Sequence, residues 1–295
     1  MRNYCLNIAG YCIEFEATDS GSELKPSERF LRNICDKRDP DLLIKVHSGV
    51  FILPLGTERV FHAPFVEEVN GIQIRHKANF WSIWKHRSDL FIRTIFPLSD
   101  SEKNAVLKFS LTNTQWDLWI DGAEKEIDPF EYPLDGLILY YLTVINGDIM
   151  IHASGVNNLG KGYIFSGVSG KGKSTMAALW DQTGAKVIHD DRLIVRKNGN
   201  GYFMHNTPVY NNDEPHHSPL HKIFIIEHGI ENKIVPVKGA LAVSLVMANC
   251  IQHNWGHDLI ARLLGSVSIM CATIPVVKLS FSPDRSIIDL ILENE

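Results

Sequence analysis

Apolar and polar residues alternate in short bursts through the first 130 residues. Tyr11-Cys12-Ile13-Glu14-Phe15, Gly71-Ile72-Gln73-Ile74-Arg75-His76, Leu90 to Ile95, Ala105 to Leu111 and Trp116 to Ile120 all carry the pattern. Val, Ile, Phe and Trp on a period of two predict antiparallel strands with one wet face. The turn residues between the bursts suit a meander or small sandwich. Ser27 to Ile34 predicts a short helix.

The period changes near Pro133. Pro133 to Ile145 is apolar at helical spacing, with Pro in the first turn and Gly147 just past the end. The expected division is therefore a β-rich N-terminal domain over residues 1–130, serving as a substrate or partner module, and a second domain over 131–295. In the second stretch, strands are expected at Ile149–Ala153, Gly162–Phe165, Lys186–His189, Leu193–Arg196, Tyr202–Met204, Ile223–Ile226 and Val276–Phe281. Helices are expected at Thr175–Gln182, Ala240–Asn249, Asp258–Leu264 and Ser286–Leu292. Strands mixed with helices imply an α/β or α+β core built on a mixed sheet.

Composition narrows the function classes. The chain has 295 residues, room for one large or two medium domains, and a net charge of −5. That charge argues against a general nucleic-acid or anionic-membrane binder. No apolar run approaches a membrane span, and Met1-Arg2-Asn3-Tyr4 does not open a signal peptide. The 5 cysteines include no C-x-x-C pair, which reads as reduced thiols in the cytoplasm. His217 and His221 have helical metal-ligand spacing, but Ser218-Pro219 between them breaks the helix such a pair needs. Asp213 to Pro219 is read as an exposed loop. Trp81, Trp84, Trp116 and Trp119 are read as packing residues, with a peptide or carbohydrate groove as the alternative.

Candidate chemistry gathers in the second stretch. Gly167-Val168-Ser169-Gly170-Lys171-Gly172-Lys173-Ser174 is a complete G-x-x-x-x-G-K-[ST] loop, entered by a strand and left by a helix starting at Thr175. In such a loop, glycines turn backbone N–H groups toward phosphate oxygens, and the helix N-terminus adds partial positive charge. Lys173 reaches the β- and γ-phosphates, and the Ser174 hydroxyl ligates Mg²⁺. Asp190-Asp191-Arg192 ends the strand after that helix, where open α/β sheets place their ligands. Two adjacent carboxylates can divide the work, one on the metal and one accepting a proton from an attacking hydroxyl. His152, at the end of its own strand, is a further candidate for phosphate contact or proton transfer.

Ile151-His152-Ala153-Ser154-Gly155, the glycine loop and His189-Asp190-Asp191-Arg192, in that order and spacing, resemble the catalytic domain of HPr kinase/phosphorylase. The resemblance is strong over about residues 150 to 195 and weaker to the C-terminus. It implies a nucleotide-binding fold related to phosphoenolpyruvate carboxykinase, with ATP and Mg²⁺. It further implies that Asp190 is the base toward a substrate serine, that Asp191 stands by the metal and phosphates, and that His152 lies near the transferred phosphate; the two carboxylate roles can be exchanged. Asn206-Thr207-Pro208-Val209-Tyr210 stands where the family has a Glu-Val-Arg-Gly type of segment, and the first 130 residues do not resemble its usual N-terminal domain. The expected partners are a nucleotide and a hydroxyl-bearing peptide, protein or small molecule, with self-association also expected. The alternatives are a non-catalytic nucleotide-binding regulator and a carboxykinase-like or phosphorolytic enzyme.

Overall fold

A segment with period-two alternation folds as a strand once a core accepts its apolar face. The computed structural model describes residues 1–36, 39–69, 72–97, 103–122 and 125–294. Two compact units form: Met1–Leu142 with Tyr210–Asp213, and Thr143–Val209 with Glu214–Glu295.

The first unit contains β1 (Asn3–Ile8), β2 (Tyr11–Ala17), β3 (Glu23–Leu24), a 3₁₀ turn (Glu28–Asn33), β4 (Ile34–Cys35), β5 (Leu42–Ser48), β6 (Glu58–Val69), β7 (Ile72–His86), β8 (Asp89–Ile95), β9 (Asn104–Phe109), β10 (Gln115–Ile120) and β11 (Glu126–Ile127). Nine of these make one sheet, ordered β4-β1-β2-β5-β10-β9-β8-β7-β6. Gly71, the first residue of one expected strand, lies outside the described residues. The expected helix at Ser27–Ile34 is the 3₁₀ turn.

One expectation needs correction. The sheet is mixed, because β5 runs parallel to both β2 and β10. Alternation tells which residues face the core, but not which distant strand lies alongside. Ile13, Phe15, Ile44, Leu107, Ile92 and Ile83 are fully buried on the core face. Each such side chain contributes about 1.5–3 kcal/mol over leaving it exposed. Phe130 packs there against Phe15 and Phe30, with ring centroids 5.5 and 4.8 Å away.

Helix α1 (Leu134–Asn146) follows Pro133 and ends before Gly147, whose φ of +70° suits glycine. Its Tyr141 ring lies 4.5 Å from Phe109. That packing assigns the front of the helix to the first unit, whose boundary falls at Leu142.

The second unit comprises β12 (Ile149–Asn158), β13 (Lys161–Ser166), α2 (Lys173–Asp181), β14 (Lys186–His189), β15 (Arg192–Asn198), β16 (Gly201–Asn206), β17 (His217–His228), β18 (Lys233–Val237), α3 (Gly239–Met247), α4 (His257–Thr273), β19 (Val276–Phe281) and α5 (Ser286–Glu293). Its strands join in another mixed sheet, and the molecule is α+β with few helices. β12 pairs with β15 and then β14 along one edge while β13 takes its other edge, and β17 changes partner along its length. β12 pairs with β15 through His152 and with β13 from Ala153 onward. β17 pairs with β16 up to Pro219 and with β13 from Leu220. His217, Ser218 and Pro219, expected in a loop, are therefore strand residues. Proline is tolerated at this handover because it need not donate to both ladders.

Two cores hold this unit. Ile149, Ile151, Leu193, Ile223, Val246 and Val267 form one, and Tyr163, Phe165, Trp180, Phe224, Phe281 and Ile287 the other. Between them they pack helices against both sides of β13 and β17.

Candidate functional site

Three strand ends meet at the point where β12 leaves β15 and takes up β13 on its other edge. Ala153 opposes Ser166, the last residue before the glycine loop. His152 opposes Arg192. The Ala153 amide donates to the Asp191 carbonyl at 3.0 Å, and the Ser166 hydroxyl donates to the His152 carbonyl at 3.0 Å. Thus His152, the start of the loop and the Asp190-Asp191-Arg192 turn sit on adjoining strands, though far apart in sequence.

The loop itself, Gly167 to Gly172, needs glycine for two reasons. A Cβ on Gly167 would stand 2.8 Å from the Ile226 carbonyl oxygen, so the loop hugs β17. Gly172 has φ +92°, and a Cβ there would also meet the Phe281 ring at 2.7 Å. Val168, Ser169 and Gly170 are exposed, and Lys171 is half-buried. The Gly170 carbonyl bonds to His228 Nε2 at 2.9 Å. Gly172 is the N-cap of α2, and no side chain caps its first turn. Backbone donors of that turn therefore remain for a ligand.

Lys173 is buried, and its Nζ donates to the carbonyls of Gly167 at 2.9 Å and Val168 at 3.4 Å. Burial pushes its ammonium below the usual lysine range, while the Asp191 charge opposes that shift. The Asp191 carboxylate lies 3.4 Å from His152 Nδ1. That contact, first, and the nearby Arg192 and histidine charges hold its carboxyl below the ordinary 3.8, against the cost of burial. Asp190 is half-buried, with no side-chain hydrogen bond or ion pair among the described residues. Ser174 and Thr175 are exposed at the start of α2. Arg192 Nε donates to Thr207 Oγ1 at 3.2 Å, and the Thr207 hydroxyl returns a bond to the Arg192 carbonyl at 3.2 Å.

Supporting residues escape a reading by motif. Buried His189 accepts from the amides of Asp191 at 3.1 Å and Arg192 at 3.3 Å through Nδ1, which fixes the carboxylate turn. Thr207 and His228 hold Arg192 and the loop tip. Their only sequence signal was proximity to strand ends. Elsewhere, His205 and His217 stack at 5.6 Å, and burial pushes His205 down to about 4. No group of three His, Cys, Asp or Glu side chains among the described residues is arranged for a metal.

No family model matches the chain, and no curated protein matches it. Among solved structures it is similar to the HPr(Ser) kinase/phosphatase from Coxiella burnetii, at 11% identity and a TM-score of 0.30. The alignment covers 49% of this chain and 94% of that one. A score this low marks a distant likeness of outline, and the chemistry below rests on this chain's own residues. No helix among the described residues is long and apolar enough to cross a membrane.

Proposed function

We propose that the second unit is a phosphotransferase of the HPr-kinase-like type, using ATP to phosphorylate a hydroxyl, most simply a serine in a peptide, protein or small molecule. The observation that carries the reading is the junction in β12. It joins the strand that enters the loop, with its uncapped helix start and buried lysine, to the turn that carries Asp190 and Asp191; Asp191 is paired with His152, and Asp190 has no side-chain partner among the described residues. A site for simple nucleotide binding needs no free carboxylate.

In this reading the amides of Val168 to Thr175 bind the phosphates, with Arg192 beside them. Lys173 exchanges its carbonyl partners for a γ-phosphate oxygen and offsets its charge. Asp190 accepts the proton of the acceptor hydroxyl as that oxygen bonds to the γ-phosphorus and the bond to the ADP oxygen breaks. His152 keeps Asp191 ionised and oriented. The residues fit Mg²⁺: the exposed Ser174 hydroxyl and the Asp191 carboxylate are hard oxygen donors. Mg²⁺, when bound, spreads the negative charge of the phosphates.

The test is phosphate transfer from labelled ATP to serine, to peptides and to HPr, with ATP affinity measured calorimetrically in Mg²⁺. Lys173→Ala should lose nucleotide affinity and turnover together. Asp190→Asn should keep affinity and lose on the order of 10²–10⁴ in rate, because an amide cannot accept the proton. Asp191→Asn should raise the Mg²⁺ needed for half-maximal transfer. Unchanged ATP binding in Lys173→Ala would overturn the phosphate-loop assignment. Wild-type transfer by both Asp variants would overturn the catalytic one.

A further inference from the structure

The face of the first unit's sheet turned away from its core carries a concave site. Gly49 to Leu53 folds back over β10, β9 and β8 and leaves a cavity of about 370 Å³, large enough for a small ligand. Its apolar side is Phe51 against Trp119, ring centroids 4.1 Å apart, with Val106 beneath. Trp119 is held in place by His47, stacked on it at 4.7 Å. His47 is itself fixed by Asp117 at 2.8 Å and Thr18 at 3.0 Å. The aromatic wall is therefore pre-set rather than adaptable.

Three polar side chains border the same cavity: Arg93, Asn104 and Asp121. None has a side-chain hydrogen bond or ion pair among the described residues. Register explains why the two charges stay apart. Arg93 and Trp119 both oppose Val106, from β8 and β10. The Asp121 amide donates to the Asn104 carbonyl two residues farther along. Two inter-strand steps and two residues put the Arg93 and Asp121 backbones roughly 12 Å apart. On the same sheet face, by contrast, Lys108 pairs with Asp89 at 3.0 Å. An unpaired guanidinium and an unpaired carboxylate across one aromatic-walled cavity suit a ligand that carries both opposite charges.

We propose that this cavity binds a zwitterion with an apolar or aromatic body, of the α-amino acid class. Its carboxylate meets the Arg93 guanidinium, its ammonium meets Asp121, Asn104 bonds either polar end, and the side chain lies on Phe51 and Trp119. The inference does not depend on the phosphotransferase reading.

The test uses the full chain and calorimetry with L-phenylalanine, L-tryptophan, phenylpropionate (no ammonium) and phenethylamine (no carboxylate). Both amino acids should bind at least about tenfold tighter than either single-charge analogue, as expected when a hydrogen bond to a charged group is lost. Arg93→Ala should weaken the amino acids by a similar factor and tighten phenethylamine. Asp121→Ala should weaken them likewise and tighten phenylpropionate. Circular dichroism melts check that these side chains can be changed without unfolding. Absence of amino-acid binding by the folded wild type overturns the proposal. So does binding that neither variant alters, or equal binding of phenylpropionate and phenylalanine by the wild type.

Discussion

Replacing His152 by alanine takes away the first cause of the low Asp191 pKa. The carboxyl ionises below 3.8 in the folded chain, so its stabilising contribution is complete above that value and disappears as pH falls through the folded pKa. The wild type should therefore exceed His152→Ala in urea-unfolding stability at about pH 5.5, and the gap should close on acidification. Carboxyl shifts followed by NMR should show the Asp191 midpoint rising toward 3.8 in the variant; an unmoved midpoint would disconnect the pair. At this scale the sequence was legible where chemistry is tied to spacing. Lys173, Ser174, Asp190 and Asp191 could all be named, because a loop and a strand end fix their relation. Thr207, His228 and the part that His189 plays within its motif could not, because each acts through a hydrogen bond to backbone or side chain that only the folded register creates.

Among elements, strand β13 shows how tightly that register is set. A Cβ on Gly162 would stand 2.0 Å from the Pro219 carbonyl oxygen, a backbone atom that cannot swing aside. Gly162→Ala should cost at least about 2 kcal/mol by forcing β13 away from β17. Gly201, at the start of β16, has nothing within 4 Å of its would-be Cβ, so Gly201→Ala should be nearly neutral. Urea titrations of the two variants make the comparison, and equal losses would refute the packing argument. Strands and helices with a strong period could be placed from sequence within a few residues. β17 was truncated because Ser218-Pro219 looks like a break, and α4 runs on to Thr273 through serines that its core-facing Val267 and Met270 outweigh.

For the whole molecule, pattern gave two kinds of chain but not the parallel pairings, since nothing local encodes a partner about thirty positions away, as for β2 and β5, or about seventy, as for β5 and β10. Those pairings have a cost in time. β5 is the seam of the nine-stranded sheet: remove β10, and β4-β1-β2-β5 and β9-β8-β7-β6 become two separate ribbons. On a ribosome, that seam stays open until Ile120 has emerged, leaving a lengthy interval in which Ile44 and Val46 have no lid on one flank. Distant contacts of this type slow a folding reaction. Stopped-flow refolding should accordingly show Trp119 reaching its native emission only in the last phase, and a nascent chain that has emerged only as far as Thr114 should cling to a chaperone that releases one from which Ile120 has emerged.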